Sequence, residues 1–133
     1  MEKRAYYEIL EAYCNSARMH QATKEQYFKV LDQKWNKVLE SIRGINTYKY
    51  VFLPSGSQFW LIVGKMDEYL LLPPHFCSCH DFYFNAVSKK NEICCYHVIT
   101  QIICQRSNRF LTIYKEDGVY LDYLKDLLER DRN

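Results

Sequence analysis

Four residues of metal-binding type stand in two close pairs, and this pattern limits what the chain can fold into more than any other feature. Cys77-Ser-Cys79 is followed, after fifteen residues, by Cys95-Tyr-His97. Two close pairs separated by a loop are the usual arrangement of a structural zinc site, because each pair supplies one edge of a tetrahedron. We therefore predict one structural zinc ion bound by Cys77, Cys79, Cys95 and His97.

The neighbours of these pairs leave the choice of ligands partly open. Cys94 directly precedes Cys95 and is an alternative ligand, whereas His80, next to the first pair, is interpreted as a surface or supporting residue. The two other cysteines, Cys14 and Cys104, are interpreted as small buried hydrophobic residues.

The sequence contains no pattern that indicates catalysis. A catalytic zinc keeps one position open for water, whereas four good ligands fill the shell predicted here. Cys95 and His97 are two residues apart in one predicted helical turn, so we expect them to point to different faces and not to act as nucleophile and base. Neither a glycine-rich phosphate loop nor a nucleophile elbow is present. We therefore predict that the protein is not an enzyme.

Length and composition favour one globular domain. The chain has 133 residues, of which 48% are hydrophobic and 26% charged, and its net charge is +2. That charge gives little support to autonomous DNA binding, for which Lys89, Lys90, Arg106 and Arg109 are the candidate residues. No apolar run reaches the roughly 20 residues of a membrane span, and the first residues lack the apolar segment of a signal peptide. We expect an intracellular protein with reduced cysteines.

The hydrophobic periodicity predicts an α+β fold. Apolar residues at helical spacing indicate a helix over about Glu2 to Met19 and a second that ends near Gly44, which together form an N-terminal helical hairpin. Thr23 and Gln26 match a capping box at the start of the second helix. Runs of aromatic and β-branched residues predict a short three-stranded antiparallel sheet, with strands over Tyr48–Leu53, Gln58–Val63 and Glu68–Leu72.

The second half of the chain is predicted to be the zinc module and two helices. Asp81–Lys89 is interpreted as a short helix or a loop, and Cys95–Gln105 as a helix with one apolar face. Asp117 is expected to cap a C-terminal helix. The single domain is therefore divided into a helical part (1–45), a zinc-finger module (46–107) and a C-terminal helix (108–133).

The ligand pattern and its surroundings resemble a known family. The CxC…CxH form is that of the SWIM-type zinc finger. The run from Val51 to Ile103 resembles the SWIM-domain subunit of Shu complexes in its Pro54-Ser-Gly56 turn, its aromatic Phe82-Tyr-Phe84 segment and the residues around Cys95. The zinc ligands of that family correspond to the four residues named above. His80 and the doubled Cys94–Cys95 are local departures from the family pattern.

This resemblance implies a function that composition alone does not indicate. It implies a nuclear, non-catalytic adaptor that pairs with RecA-like recombinase paralogues and promotes recombinase filament assembly in homologous recombination DNA repair. We expect DNA contact to be indirect, and we place the partner surface on the N-terminal helices or around Tyr48, Tyr50 and Phe59. The alternatives are a nucleic-acid-binding SWIM finger in transcription or chromatin and, less favoured, a signalling scaffold.

Overall fold

The computed structural model describes residues 3–44, 47–64, 68–72, 76–77 and 95–130, with only the backbone described at residues 76–77 and 127–130. Their order confirms the mixed α/β class, with helices at both ends and a sheet between them. None of the helices in these ranges is long and apolar enough to cross a bilayer. The elements are α1 (Lys3–Ser16), α2 (Gln21–Gln33), α3 (Trp35–Arg43), β1 (Thr47–Leu53), β2 (Ser57–Val63), β3 (Glu68–Leu72), β4 (Phe76–Cys77), α4 (Tyr96–Arg106), β5 (Leu111–Glu116), a 3-10 turn (Asp117–Val119) and α5 (Tyr120–Arg130).

The described strands form one sheet in the order β4-β3-β2-β1-β5. Strands β1 to β4 are paired antiparallel, as predicted for the first three, whereas β5 runs parallel to β1. The described sheet therefore has five strands, two more than the three predicted. Strand β4 has only two residues, and β5 is exposed along almost its whole length, so neither carries the alternation by which a half-buried strand is recognised. The C-terminal helix begins only at Tyr120, after this additional strand.

The N-terminal helices differ from the predicted hairpin in two details. The second helix is interrupted at Lys34, which gives α2 and α3. Helix α2 begins after His20, so Thr23 lies inside it and the predicted capping box is wrong. The physical reason is the end of α1, where Met19 N–H donates to the Cys14 carbonyl and Arg18 takes a left-handed φ of 52°. This tight reversal lets α2 start three residues earlier than predicted.

Helix α4 lies at the centre of the first hydrophobic core. Every residue from His97 to Cys104 is buried, which is the pattern of a helix surrounded by other elements. Helices α1, α2 and α3 pack against it, and it contacts β2, β3 and β4 of the sheet. The interpretation of Cys14 and Cys104 as buried residues is confirmed, since each is 1% exposed.

Helix α5 covers the opposite face of the sheet and forms a second core that is mainly aromatic. The fully buried Phe52 and Phe59 are in contact with the rings of Tyr120 and Tyr123. Asp117 does not cap α5 as predicted. Its carboxylate instead accepts hydrogen bonds from the N–H and the Oγ of Ser55, at 3.0 and 2.7 Å, and so joins the start of α5 to the β1–β2 turn.

Candidate metal centre

Two of the four predicted zinc ligands meet at the start of α4. Cys95 occupies the N-cap position with extended backbone angles, and His97 is in the first turn. Their Sγ and Nδ1 atoms are 3.9 Å apart, and the residues are 5% and 4% exposed. The expectation that they point to different faces is wrong, because Cys95 is the N-cap and does not follow the helical geometry.

Two tyrosine rings fix the plane of the His97 imidazole. The Tyr69 ring of β3 stacks on it with a centroid distance of 4.2 Å and an interplanar angle of 30°. The Tyr96 ring lies 4.0 Å away at 33°. The Lys37 ammonium lies 5.6 Å from the centroid of the Tyr96 ring and connects this group to α3. The imidazole is therefore held by contacts from a strand and from its own helix.

The separation of the two ligand atoms fits a zinc ion. Ordinary zinc bonds of about 2.3 Å to sulfur and about 2.0–2.1 Å to nitrogen place two ligand atoms of a tetrahedral site about 3.6 Å apart. The observed 3.9 Å between Cys95 Sγ and His97 Nδ1 differs from this by a few tenths of an ångström. The positive end of the α4 dipole also favours the thiolate form of a cysteine at its N-terminus. The donor pair is therefore suitable for zinc in both distance and chemistry.

The other predicted ligands are described only in part. The backbone of Cys77 lies in β4 opposite Leu71 of β3, and α4 contacts this short strand. Cys79 and the alternative ligand Cys94 lie outside the described residues, as does His80. Within the ranges that the structure describes, no three residues of ligand type are grouped together. The fold thus brings β4, which carries Cys77, into contact with α4.

The aromatic residues predicted as a partner surface belong mainly to the second core. Phe59 is fully buried beneath α5, so a partner surface would have to be formed without it. Tyr48 and Tyr50 are partly buried on the same face of the sheet, and the Tyr50 ring lies 5.7 Å from that of Tyr123. The sequence could not indicate this placement, because it does not tell which aromatic face the last helix covers.

The candidate nucleic-acid residues are described only in part. Lys89 and Lys90 lie outside the described residues, as does the whole predicted helix or loop at Asp81–Lys89. The Arg106 guanidinium lies 5.5 Å from the centroid of the Tyr13 ring, and Arg109 is exposed beyond the end of α4. Their role in DNA binding stays a prediction.

The fold and site together define a small mixed α/β domain with a zinc-type ligand pair at the start of a buried helix. The chain is 30% identical over 95 residues to a protein from Dictyostelium discoideum named "Zinc finger SWIM domain-containing protein 7 homolog". The alignment covers 70% of this chain and 61% of that relative, so the chain matches less than two thirds of the relative's length. No family model and no solved structure matches the chain. The similarity supports a SWIM-type zinc-finger protein, as the ligand spacing predicted.

Proposed function

We propose that this protein is a non-catalytic adaptor that holds one structural zinc ion through Cys77, Cys79, Cys95 and His97. The observation that carries this proposal is the buried Cys95–His97 pair, whose atoms are separated by a distance that suits zinc. The ion would join the first ligand pair to the start of α4 and stabilise the fold. Structural zinc binding is worth about 10–16 kcal/mol of apparent free energy in small zinc modules, so it would contribute directly to folding.

The biological setting of the proposal is homologous recombination DNA repair in the nucleus. The adaptor would be a subunit of a Shu-type complex, would pair with a RecA-like recombinase paralogue, and would promote recombinase filament assembly. The resemblance of the region from Val51 to Ile103 supports this role, and the SWIM-type name of the relative agrees with the finger. A net charge of +2 is consistent with a protein whose main partner is another protein.

The experiment that tests the metal is a native mass spectrum of the full chain, purified gently from its own cells. We expect the mass of one zinc ion in the wild-type protein. Cys95→Ala should lose the ion, whereas Cys104→Ala should keep it. Cys104 is the matched control because it is a buried cysteine of α4 whose Sγ accepts a hydrogen bond from Thr47. Zinc retained in Cys95→Ala and lost in Cys104→Ala would contradict the proposed ligand set.

The same spectrum tests the partner. A companion of RecA-like sequence, identified by peptide mass, is the expected result. Zinc without any companion protein would favour the alternative of a nucleic-acid-binding SWIM finger. Charge reversal at Lys89 and Lys90 then separates the two functions, because salt-dependent binding to DNA requires basic side chains near the phosphates. Repair in cells should survive this change if the protein is an adaptor and should fail if it is a DNA-binding finger.

A further inference from the structure

We infer that Tyr69 is a positioning residue for the metal, which fixes the His97 ring so that zinc is bound through Nδ1. This inference rests on the proposed zinc function and adds to it the ligating nitrogen and the residue that orients it. Two observations support it. The Tyr69 and His97 ring centroids are 4.2 Å apart in a stacked arrangement, and His97 Nδ1 lies 3.9 Å from Cys95 Sγ.

Two tyrosine rings pack against the His97 imidazole. Tyr69 and Tyr96 lie 4.2 and 4.0 Å from the His97 centroid, and both are within 33° of parallel to it. Both rings therefore restrict the tilt of the imidazole and hold it close to one plane.

That plane presents one edge of the ring to the thiol. Nδ1 is the nitrogen on the edge that faces Cys95, so it is the nitrogen that can share a metal ion with Sγ. Rotation of the ring by 180° about its Cβ–Cγ bond keeps the same plane but replaces Nδ1 by a carbon, which cannot bind zinc. The stacked rings thus set the plane of the imidazole, and the position of Sγ beside Nδ1 marks that nitrogen as the one that would bind the ion.

Tyr69 is well placed to hold this orientation because the sheet fixes its backbone. It pairs with Ile62 across the β2–β3 ladder, and its side chain packs against the first core. Tyr96 is next to His97 in the chain and moves with α4, whereas Tyr69 comes from a different element. Tyr69 is therefore the contact that relates the ring to the sheet, where β4 is paired with β3. Residues that orient a metal ligand typically change metal affinity by about 10–100-fold when they are removed.

The test uses the full chain, with zinc itself and a chromophoric chelator in competition. We expect Tyr69→Leu, which removes the ring but keeps an apolar side chain, to weaken zinc affinity by about 10-fold or more. Tyr69→Phe keeps the ring and should stay within about twofold of wild type. Tyr48→Leu is the matched control, since Tyr48 is a half-buried strand tyrosine on the opposite face of the sheet. It should also leave zinc affinity unchanged.

A spectroscopic measurement identifies the nitrogen independently of affinity. In the wild-type protein loaded with ¹¹³Cd in place of zinc and labelled with ¹⁵N, the metal should show scalar coupling to Nδ1 of His97. Coupling to Nε2 would overturn the inference, as would a Tyr69→Leu variant with wild-type circular dichroism and zinc affinity within about twofold of wild type. If Tyr69→Leu does not fold, the inference is tested by the ¹¹³Cd–¹⁵N coupling at His97 and by the zinc affinity of Tyr69→Phe. A wild-type chain that binds no zinc would overturn the proposed function and this inference together, whereas the other two results overturn the inference alone.

Discussion

Truncation of Phe59 tests whether the aromatic face of the sheet is an internal core. Phe59 is 0% exposed, and four rings surround it. Their centroids lie at 5.1 Å for Tyr50, 5.3 Å for Phe52, 6.1 Å for Tyr120 and 6.4 Å for Tyr123. Truncation of a buried phenylalanine to alanine costs about 3–5 kcal/mol, and each lost aromatic pair contributes about 0.5–1.5 kcal/mol within such a cluster. We expect Phe59→Ala to lower the free energy of unfolding by about 4 kcal/mol.

The assay is urea unfolding of the zinc-loaded full chain, followed by tryptophan fluorescence and circular dichroism. With a urea m-value of about 2 kcal/mol/M, a loss of about 4 kcal/mol lowers the midpoint by about 2 M. Tyr114→Ala on β5 is the control, because Tyr114 is 64% exposed and its truncation should change the free energy by no more than about 0.5 kcal/mol. A loss below about 1 kcal/mol for Phe59→Ala would mean that α5 does not cover this ring in solution, and the aromatic face would again be a candidate partner surface.

Three further results are expected. Asp117→Ala should lower the free energy of unfolding by about 1 kcal/mol in a urea titration, because it removes both hydrogen bonds from Ser55, and equal stability would contradict this. Arg18→Gly should raise the melting temperature through a gain of about 1 kcal/mol, since Arg18 has a left-handed φ of 52°; a lower melting temperature would contradict this. Burial raises the pKa of the Cys104 thiol, although the Thr47 hydrogen bond lowers it. The folded protein therefore holds this proton more tightly than the unfolded chain. The contribution of the thiol to the free energy of unfolding is complete below its pKa in the unfolded chain and is lost as pH rises through its pKa in the folded protein. Wild type should lose more stability than Cys104→Ala between about pH 8 and about pH 10, and parallel losses in urea unfolding would contradict the assignment.

Local sequence patterns predicted the helices and strands that have one buried face or that are buried on all sides. Helix α1 and strands β1 to β3 lie where apolar spacing placed them, and α4 follows Cys95 as expected. Strand β5 could not be recognised in this way. Leu111 is 51% exposed and Tyr114 is 64% exposed, so the strand has no buried face to produce alternation. Its parallel pairing with β1 joins segments about 60 residues apart, which no local signal encodes.

In the candidate site, too, some features follow from the local sequence and others depend on the fold. The spacing of Cys95 and His97 is a property of the chain, and it indicated these two residues as ligands, which stays a prediction. The stack of Tyr69 on His97 depends on how β3 lies against α4, so it became visible only in three dimensions. Tyr96 lies between the two ligands in the motif and was the one sequence signal for an aromatic contact at the ring. The burial of Phe59 was missed for a similar reason, because burial of one sheet face depends on where α5 packs.

Helix α4 connects the proposed zinc site to the rest of the fold. Cys95 is its N-cap, His97 lies in its first turn, and all of its residues from His97 to Cys104 are buried in the first core. At its far end, Cys104 accepts a hydrogen bond from Thr47 of β1, and Asn108 takes a left-handed φ of 60° that ends the helix. A metal bound at the first turn would therefore restrain the element that every N-terminal helix packs against. Zinc loss should accordingly destabilise the whole first core and not the ligand residues alone, because a helix buried on all sides cannot shift without disturbing its neighbours.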